Sequence, residues 1–271
     1  MTPEPPWLLL DVGNTAIKWR LTQADRLLTP GGAVTDVEAL LPVLENQLWS
    51  AVGISSVAGE RAHQAVVEAL GFRQAAPLRV AVSETSSMGV CNSYAVPGEM
   101  GVDRWLAMLA AHCLHEGAVC VIDAGTAITL DLLTADGAHL GGYILPGADL
   151  MSRALTHATG RINAALADPP TWAPGNSTAQ CVSAGAWRST LGAVQSVLAD
   201  FPDHRPLLTG GGADALIELG LAAETNPDLV FEGLRLWLSQ KLDEKFEISF
   251  PRIFTKIRNA DRNAKMQHRI H

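Results

Sequence analysis

The sequence has few of the features that mark several large protein classes. Its 271 residues include only four cysteines and no C-x-x-C pair, so neither a zinc knuckle nor a redox dithiol is indicated. Lys and Arg number 20 against 28 Asp and Glu, a formal net charge of −8, which disfavours a surface for nucleic acid or anionic lipid. No apolar run is long enough for a membrane helix or a signal segment. We therefore expect a cytoplasmic protein with neither nucleic-acid nor membrane partners.

An internal repeat is the most informative feature that is present. The segment LDVGNTAI at residues 10–17 returns at residues 122–128 as IDAGTAI, one residue shorter. From Thr15 and Thr126 onward the two copies keep a constant offset. Each copy predicts a strand, a glycine turn, an alternating strand, a second turn and a third strand. Because chance would hardly supply matching strands and turns as well as a shared D-x-G, we predict two related halves.

After each three-strand unit the apolar spacing becomes helical, which is typical of an α/β protein. The clearest case is an amphipathic helix over 102–114, which Gly117 can end. The predicted elements are helices at 36–48 (capped by Asp36), 61–70, 102–114, 150–162 and 183–198, strands at 51–57 and 206–209, and helices starting near 213 and 227. We predict an N-terminal domain at 1–117 and a C-terminal domain at 118–238.

The stretch 239–271 differs in composition from the rest. It contains eight Lys or Arg against four Asp or Glu, whereas residues 1–238 contain twelve against 24. Its apolar periodicity is weak. We interpret it as an appended basic tail outside the core fold that is dispensable for catalysis.

Two glycine turns, each preceded by an aspartate at the end of a strand, can bind phosphate groups. The turn after Asp11 can aim backbone N–H groups and the Thr15 hydroxyl at a phosphate, with Asp11 holding Mg²⁺ through water and Lys18 adding positive charge. Alone, this motif also fits an ordinary Asx-type hairpin turn. Its repetition at 123–126 favours the functional interpretation, because two such turns can close on one polyphosphate from opposite sides.

Two further motifs have both a structural and a chemical interpretation. The turn Gly210-Gly211-Gly212 between a strand and a helix is a common connector, yet it lies where the second half would need a platform for a nucleotide base. Asp103 and Arg104 open the 102–114 helix, where they can be a capping acid and a solvated cation. In a functional interpretation, Asp103 can accept a proton from a hydroxyl, and the planar guanidinium group of Arg104 can hydrogen-bond a carboxylate or an amide of a substrate.

Taken together, these segments resemble the ordered motif set of type III pantothenate kinase, a family that includes Bvg accessory factors. The resemblance covers roughly residues 7–238. The motifs that carry it are 11–18, 101–104, 123–131, GGYILPG at 141–147, 176–178 and 209–211. It implies two related ribonuclease-H-like domains of the actin/hexokinase type, with mixed sheets flanked by helices and an ATP site in the cleft between them.

The resemblance also implies ATP-dependent phosphorylation of pantothenate to 4'-phosphopantothenate, the first step of coenzyme A biosynthesis, in a homodimer. It assigns ATP binding to Asp11, Val12, Gly13, Asn14, Thr15, Ala16, Ile17, Lys18 and Thr126. It assigns the pantothenate site to Tyr94, Gly101, Val102, Asp103, Arg104 and Thr178. Asp103 would be the proton acceptor, and Asp123 would bind a monovalent cation, K⁺ or NH₄⁺.

Two alternatives stay open at the level of sequence. One is another small-molecule kinase of the same superfamily. Tyr94 and the G-x-D-R motif disfavour it, because they are typical of the pantothenate kinase family. The other is a nucleotide-binding regulatory accessory factor without catalytic activity. The presence of three acids disfavours it: Asp11, Asp103 and Asp123.

Overall fold

A computed structural model describes residues 5–45, 47–71, 76–158, 165–167 and 170–248 of the chain. The first half forms a five-stranded mixed sheet in the order β3-β2-β1-β4-β5, in which β1 runs antiparallel to β2 and parallel to β4. Its elements are β1 (Trp7–Val12), β2 (Ile17–Thr22), β3 (Leu27–Val34), α1 (Val37–Val43), β4 (Ala51–Ser56), α2 (Glu60–Gly71) and β5 (Leu78–Val80).

The second half repeats this topology strand for strand. Its sheet has the order β10-β9-β8-β11-β12, with β8 antiparallel to β9 and parallel to β11. Its elements are β8 (Val119–Ala124), β9 (Ala127–Leu133), β10 (His139–Pro146), α4 (Ala148–Ala158), α5 (Thr178–Asp200), β11 (Arg205–Thr209), α6 (Ala213–Glu218) and β12 (Glu224–Thr225). The two related α/β halves predicted from the repeat are therefore confirmed.

Two helices lie between the sheets. A short hairpin and a 3-10 turn lead into the first of them, and the second ends the described chain. These elements are β6 (Ser86–Ser87), β7 (Val90–Cys91), the 3-10 turn Pro97–Glu99, α3 (Val102–Leu114) and α7 (Leu229–Ile248). The helices α3 and α7 cross closely, because Gly233 lies against the backbone of Leu106 where any Cβ would collide. The central apolar cluster joins both helices to Leu9 of the first sheet and Val121 of the second.

The alternation of side chains along the strands decides which residues face this central layer. In β1, Leu8 and Leu10 pack in the outer cluster of the first sheet, so Leu9 and Asp11 face the opposite side. In β8, Ile122 packs in the outer cluster of the second sheet, so Asp123 also faces inward. Both acids are therefore directed toward the layer that contains α3.

The helix predictions hold best where local signals are strong. The bounds of α3 match the prediction, and Asp36 caps α1 by accepting a hydrogen bond from the Ala39 N–H at 2.9 Å. Helix α5 begins five residues before the predicted start, because the Ser177 side chain caps it by accepting from the Gln180 N–H at 3.3 Å. Helix α4 occupies 148–158, and the rest of its predicted span lies outside the described residues.

The C-terminal helix continues past the predicted start of the basic tail. Residues 239–248 extend α7 without a break, so the boundary proposed after Leu238 falls inside a helix. Leu242 packs against the central cluster. The remainder of the predicted tail, 249–271, lies outside the described residues. Within the described part of the chain, no helix combines the length and apolar character needed to cross a membrane.

Candidate active site

The two glycine turns of the repeat face each other across the cleft. The hydroxyl oxygens of Thr15 and Thr126 lie 3.4 Å apart, and both side chains are exposed. Each turn is closed by a backbone hydrogen bond, from Gly13 N–H to the Ala16 carbonyl at 3.0 Å and from Gly125 N–H to the Ala127 carbonyl at 3.1 Å. The repeat therefore brings the hydroxyls of its two turns into contact with each other, beside backbone N–H groups of the kind that bind phosphate.

Within the first turn, the predicted ATP residues divide by exposure. Val12 and Ile17 bury their side chains in the outer core cluster of the first sheet, so only their backbone could meet a ligand. Asn14, Thr15 and Lys18 are exposed. The turn thus offers one hydroxyl, one amide and one ammonium group beside its backbone N–H groups.

Three carboxylates converge at the inner ends of β1, β8 and α3. Burial is the largest cause that raises the pKa of Asp11, and the charge of Asp103 adds to it, whereas Lys18 and the Ser55 hydroxyl, which donates at 3.0 Å, oppose it. Burial raises the pKa of Asp123 to about 6, with further contributions from the negative charges of Asp103 and Asp11. The negative charge of Asp103 therefore acts on the carboxyl groups at the ends of both repeat strands.

Asp103 occupies the first turn of α3, the helix between the sheets. Burial raises its pKa, whereas a hydrogen bond from the Arg104 backbone N–H to Asp103 Oδ1 at 2.8 Å and the Arg104 charge lower it. Gly101 is the N-cap of this helix, and a Cβ there would come within 2.6 Å of Asp103 Oδ1. Glycine at 101 therefore leaves room for the Asp103 carboxylate, while Val102 packs in the core.

The glycine-rich turn after β11 lies against the end of β8. Gly210 has φ +92°, and a Cβ there would collide with the Asp123 carboxylate and the Ala124 backbone. Gly212 N–H donates to the Ala124 carbonyl at 2.8 Å, whereas a Cβ on Gly211 would meet nothing within 4 Å. Glycine at 210 is therefore a steric requirement of the Asp123 site.

Arg104 is buried in a network of its own. Its Nε and Nη2 donate to the two oxygens of Asp131 at 2.9 and 2.6 Å, and its Nη1 donates to the Tyr94 hydroxyl at 3.0 Å. Only 6% of Arg104 and 1% of Asp131 is exposed. A guanidinium group has five N–H donors, and these three bonds use one on Nε, one on Nη1 and one on Nη2.

Two members of this network carried no role in the sequence analysis. His139 Nε2 donates to Asp131 at 3.1 Å, and its Nδ1 lies 2.9 Å from Ser93 Oγ. The signal for Asp131 was present in β9, since Ile128, Leu130 and Leu132 share the outer face and leave an acid on the face of Asp123. For His139, sequence spacing gave no comparable signal.

Thr178 lies apart from the carboxylates. It opens α5 and lines a groove of about 900 Å³ between α4 and α5, together with Met151, Leu155 and Ser177. None of the three acids lines this groove. The structure therefore brings the residues predicted to bind ATP together with Asp103, Arg104 and Tyr94 and puts Thr178 in another region.

The two repeated sheets and the helices between them define a fold of the actin/hexokinase type. Among solved structures, the activator of the 2-hydroxyisocaproyl-CoA dehydratase from Clostridium difficile, with bound ADPNP, matches 91% of this chain and 98% of its own at 12% identity, with a TM-score of 0.53. At that identity the match supports the fold alone.

Sequence comparison identifies the family. The family model described as type III pantothenate kinase matches residues 7–200. A type III pantothenate kinase from Marinobacter nauticus is 37% identical over 233 residues, covering 84% of this chain and 96% of the relative. One from Pseudomonas aeruginosa is 36% identical over 241 residues, covering 84% and 97%. The chain belongs to the type III pantothenate kinase family.

Proposed function

We propose that this protein transfers the γ-phosphoryl group of ATP to the primary hydroxyl of pantothenate, with Asp103 accepting the hydroxyl proton. The family assignment supports the reaction. The observation that carries the residue assignment is that Asp103 lies at the start of α3, coupled electrostatically to the acids at the ends of both repeat strands. A base at that point lies beside the phosphate turns and beside the Arg104 network.

Asp103 has the features of a general base. Its Oδ1 is held by the Arg104 backbone N–H, which leaves Oδ2 to face the substrate hydroxyl. Burial raises its pKa, and a carboxylate with a higher pKa is a better proton acceptor near neutral pH. Phosphoryl transfer passes through a loose transition state that depends more on positioning than on a strong base. The fixed orientation of Asp103 therefore matters as much as its basicity.

The turns supply the groups for the nucleotide. Backbone N–H groups of residues 13–16, the hydroxyls of Thr15 and Thr126 and the Lys18 ammonium group would bind and orient the phosphates. Asp11, with its partly buried carboxylate and its Ser55 partner, fits a Mg²⁺ ion held through water. Bound Mg²⁺ would neutralise phosphate charge during transfer.

A monovalent cation fits Asp123. This carboxylate is partly buried beside two other acids, and its burial, with a smaller contribution from their charges, raises its pKa and disfavours its charged form. A polyphosphate brought into the cleft would add further negative charge. K⁺ or NH₄⁺ between Asp123 and the phosphates would turn this repulsion into attraction, with looser geometric demands than Mg²⁺.

On the acceptor side, Gly101, Val102, Tyr94 and Arg104 would form one wall of the pantothenate site. Arg104 would contribute the two N–H groups that Asp131 and Tyr94 leave free. Thr178 would reach the site of a second subunit. In support of a homodimer, the edge strand β10 and the adjoining α4 expose a row of apolar side chains, Leu140, Tyr143, Ile144, Leu150 and Leu155.

A substrate survey tests the proposal. ADP release is measured with Mg²⁺–ATP and K⁺ in the presence of pantothenate, of several sugars and hydroxy acids, or of no acceptor. We expect release that depends on pantothenate. Release with another acceptor alone would assign a different kinase of the superfamily, and ATP binding without acceptor-dependent release would favour the accessory-factor alternative.

A further inference from the structure

The last described turns of α7 contact the segment that leads to Tyr94. The Glu84 carboxylate accepts from Lys241 Nζ on one oxygen at 2.9 Å and from Trp237 Nε1 on the other at 3.1 Å. Gln240 lies three residues after Trp237 on the same face of α7, and its side chain accepts a hydrogen bond from Ser87 Oγ at 3.1 Å. Residues 237, 240 and 241 are spaced to share one face of α7, so the helix holds this segment at two points.

From Glu84, a short series of hydrogen bonds reaches Tyr94. The Asn92 side-chain amide donates to the Glu84 carbonyl at 3.3 Å, and the Asn92 backbone N–H donates to the Thr85 carbonyl at 2.9 Å. The other end of the same side chain, Asn92 Oδ1, accepts from the Tyr94 N–H at 2.9 Å. The hairpin β6–β7 lies between these positions. A displacement of Glu84 would therefore be passed to Tyr94 through a single side chain.

The same segment is fixed at its far end beside the proposed base. Ser83 Oγ donates to the Met100 carbonyl at 2.9 Å, and Met100 directly precedes Gly101, the N-cap of α3. The Tyr94 hydroxyl accepts from Arg104 Nη1. Residues 83–100 thus form a closed loop that contacts Arg104 through Tyr94 and α7 through Glu84 and Ser87.

We propose that Glu84 is a positioning residue. Through its contacts with Glu84, the part of α7 beyond Leu238 fixes the position of Tyr94. The proposal rests on the proposed function only for the identity of the acceptor. It replaces the interpretation of residues 239–248 as dispensable, since Gln240 and Lys241 lie in that stretch. Loss of the Glu84 contacts would loosen the acceptor side and leave the two phosphate turns intact.

The ion pair is partly open to solvent. The side chains of Glu84 and Lys241 are 25% and 22% exposed, so water and salt screen part of their attraction. A merely structural role therefore predicts small effects throughout the protein. A positioning role predicts a local change at residues 84–94 and a selective change in acceptor binding.

The test uses the full-length chain with Glu84→Gln, Lys241→Met and the double variant. Glu84→Gln keeps an oxygen for Trp237 but no longer attracts Lys241, and Lys241→Met keeps a good helix former. The control is Glu68→Gln, since Glu68 accepts from Gln64 at 2.9 Å on the exposed face of α2. We measure hydrogen exchange of the amides of residues 84–94 and the KM values for pantothenate and ATP.

We expect faster exchange at 84–94 in both single variants and a rise of about 3- to 10-fold in the pantothenate KM, with the ATP KM unchanged. The double variant should match the stronger single variant, because both changes remove one contact. Unchanged exchange at 84–94, or an equal rise in both KM values, would overturn the proposal. A wild type without pantothenate-dependent ADP release would refute the proposed function, while the exchange data would still decide the role of Glu84.

Discussion

Arg104 and Asp131 form a two-pronged ion pair that is almost completely buried, with N–O distances of 2.9 and 2.6 Å. Arg104 follows the proposed base directly in sequence, so the pair fixes the first turn of α3 against β9. Asp131 comes from the opposite half of the chain. The acceptor side of the site therefore depends on contact between the two repeat units.

Asp131→Asn should destabilise the fold strongly. The change leaves the Arg104 charge buried without a counter-charge, and removing one partner of a buried pair costs about 3–5 kcal/mol. Chemical unfolding measures the change in free energy. The matched control is Asp149→Asn, whose partner Arg153 lies 2.8 Å away but whose side chain is 65% exposed. Equal effects of the two substitutions would contradict the importance assigned to the buried pair.

Gly210→Ala should impair ATP use, whereas Gly211→Ala should not. An alanine at 210 must adopt φ near +92° and would collide with Asp123, a strain on the order of 1–3 kcal/mol. The neighbouring position has open space around its Cβ. Thermal unfolding and the KM for ATP distinguish the two variants. If Gly210→Ala behaved like Gly211→Ala, the turn would not support Asp123 as described.

Asp123 should make the ligand-free protein less stable as the pH rises. Its pKa in the folded state is about 6, above the ordinary value of 3.8, so the folded state retains a proton that the unfolded state loses. The contribution of Asp123 to the free energy of unfolding is fully present below pH 3.8 and is lost as the pH rises to about 6. The decline is at most about 3 kcal/mol.

Asp123→Asn should therefore stabilise the ligand-free protein at about pH 7.5 and have little effect at about pH 4. Unfolding free energies of both proteins, measured without nucleotide or metal at the two pH values, check this expectation. A stability difference that stays constant between them would show that Asp123 does not titrate in that interval.

Activity should depend on a monovalent cation through Asp123. At fixed ionic strength and Mg²⁺, we expect the wild type to be much slower in Na⁺ or a large organic cation than in K⁺. Asp123→Ala should weaken ATP use and flatten the response to K⁺, because it removes the charge that the cation offsets. Equal wild-type rates with and without K⁺ would rule out a cation at this position.

The sequence predicted the parts of the site that local patterns encode. The approach of Thr15 to Thr126 follows from the repeat, since equivalent turns in two facing units meet across the cleft. Helix α3 and its first-turn acid follow from apolar spacing. These features depend on neighbours that lie close in sequence, where spacing is informative.

Contacts between distant segments were not predictable in the same way. From the sequence, the guanidinium group of Arg104 was interpreted as free to bind a substrate. Nothing near it in sequence indicated that Asp131 would accept hydrogen bonds from two of its donors. Residues 239–248 resembled a tail by composition. Their role depends on Glu84, which lies more than 150 positions earlier and carries no motif.

The most direct test of the account is the pantothenate-dependent ADP release of Asp103→Asn beside its binding of ATP, measured by calorimetry. The substitution keeps the size of the side chain but removes the proton acceptor. We predict a loss in turnover of about 10²- to 10⁴-fold with nucleotide affinity largely retained. Turnover close to that of the wild type would contradict the assignment of Asp103 as the base.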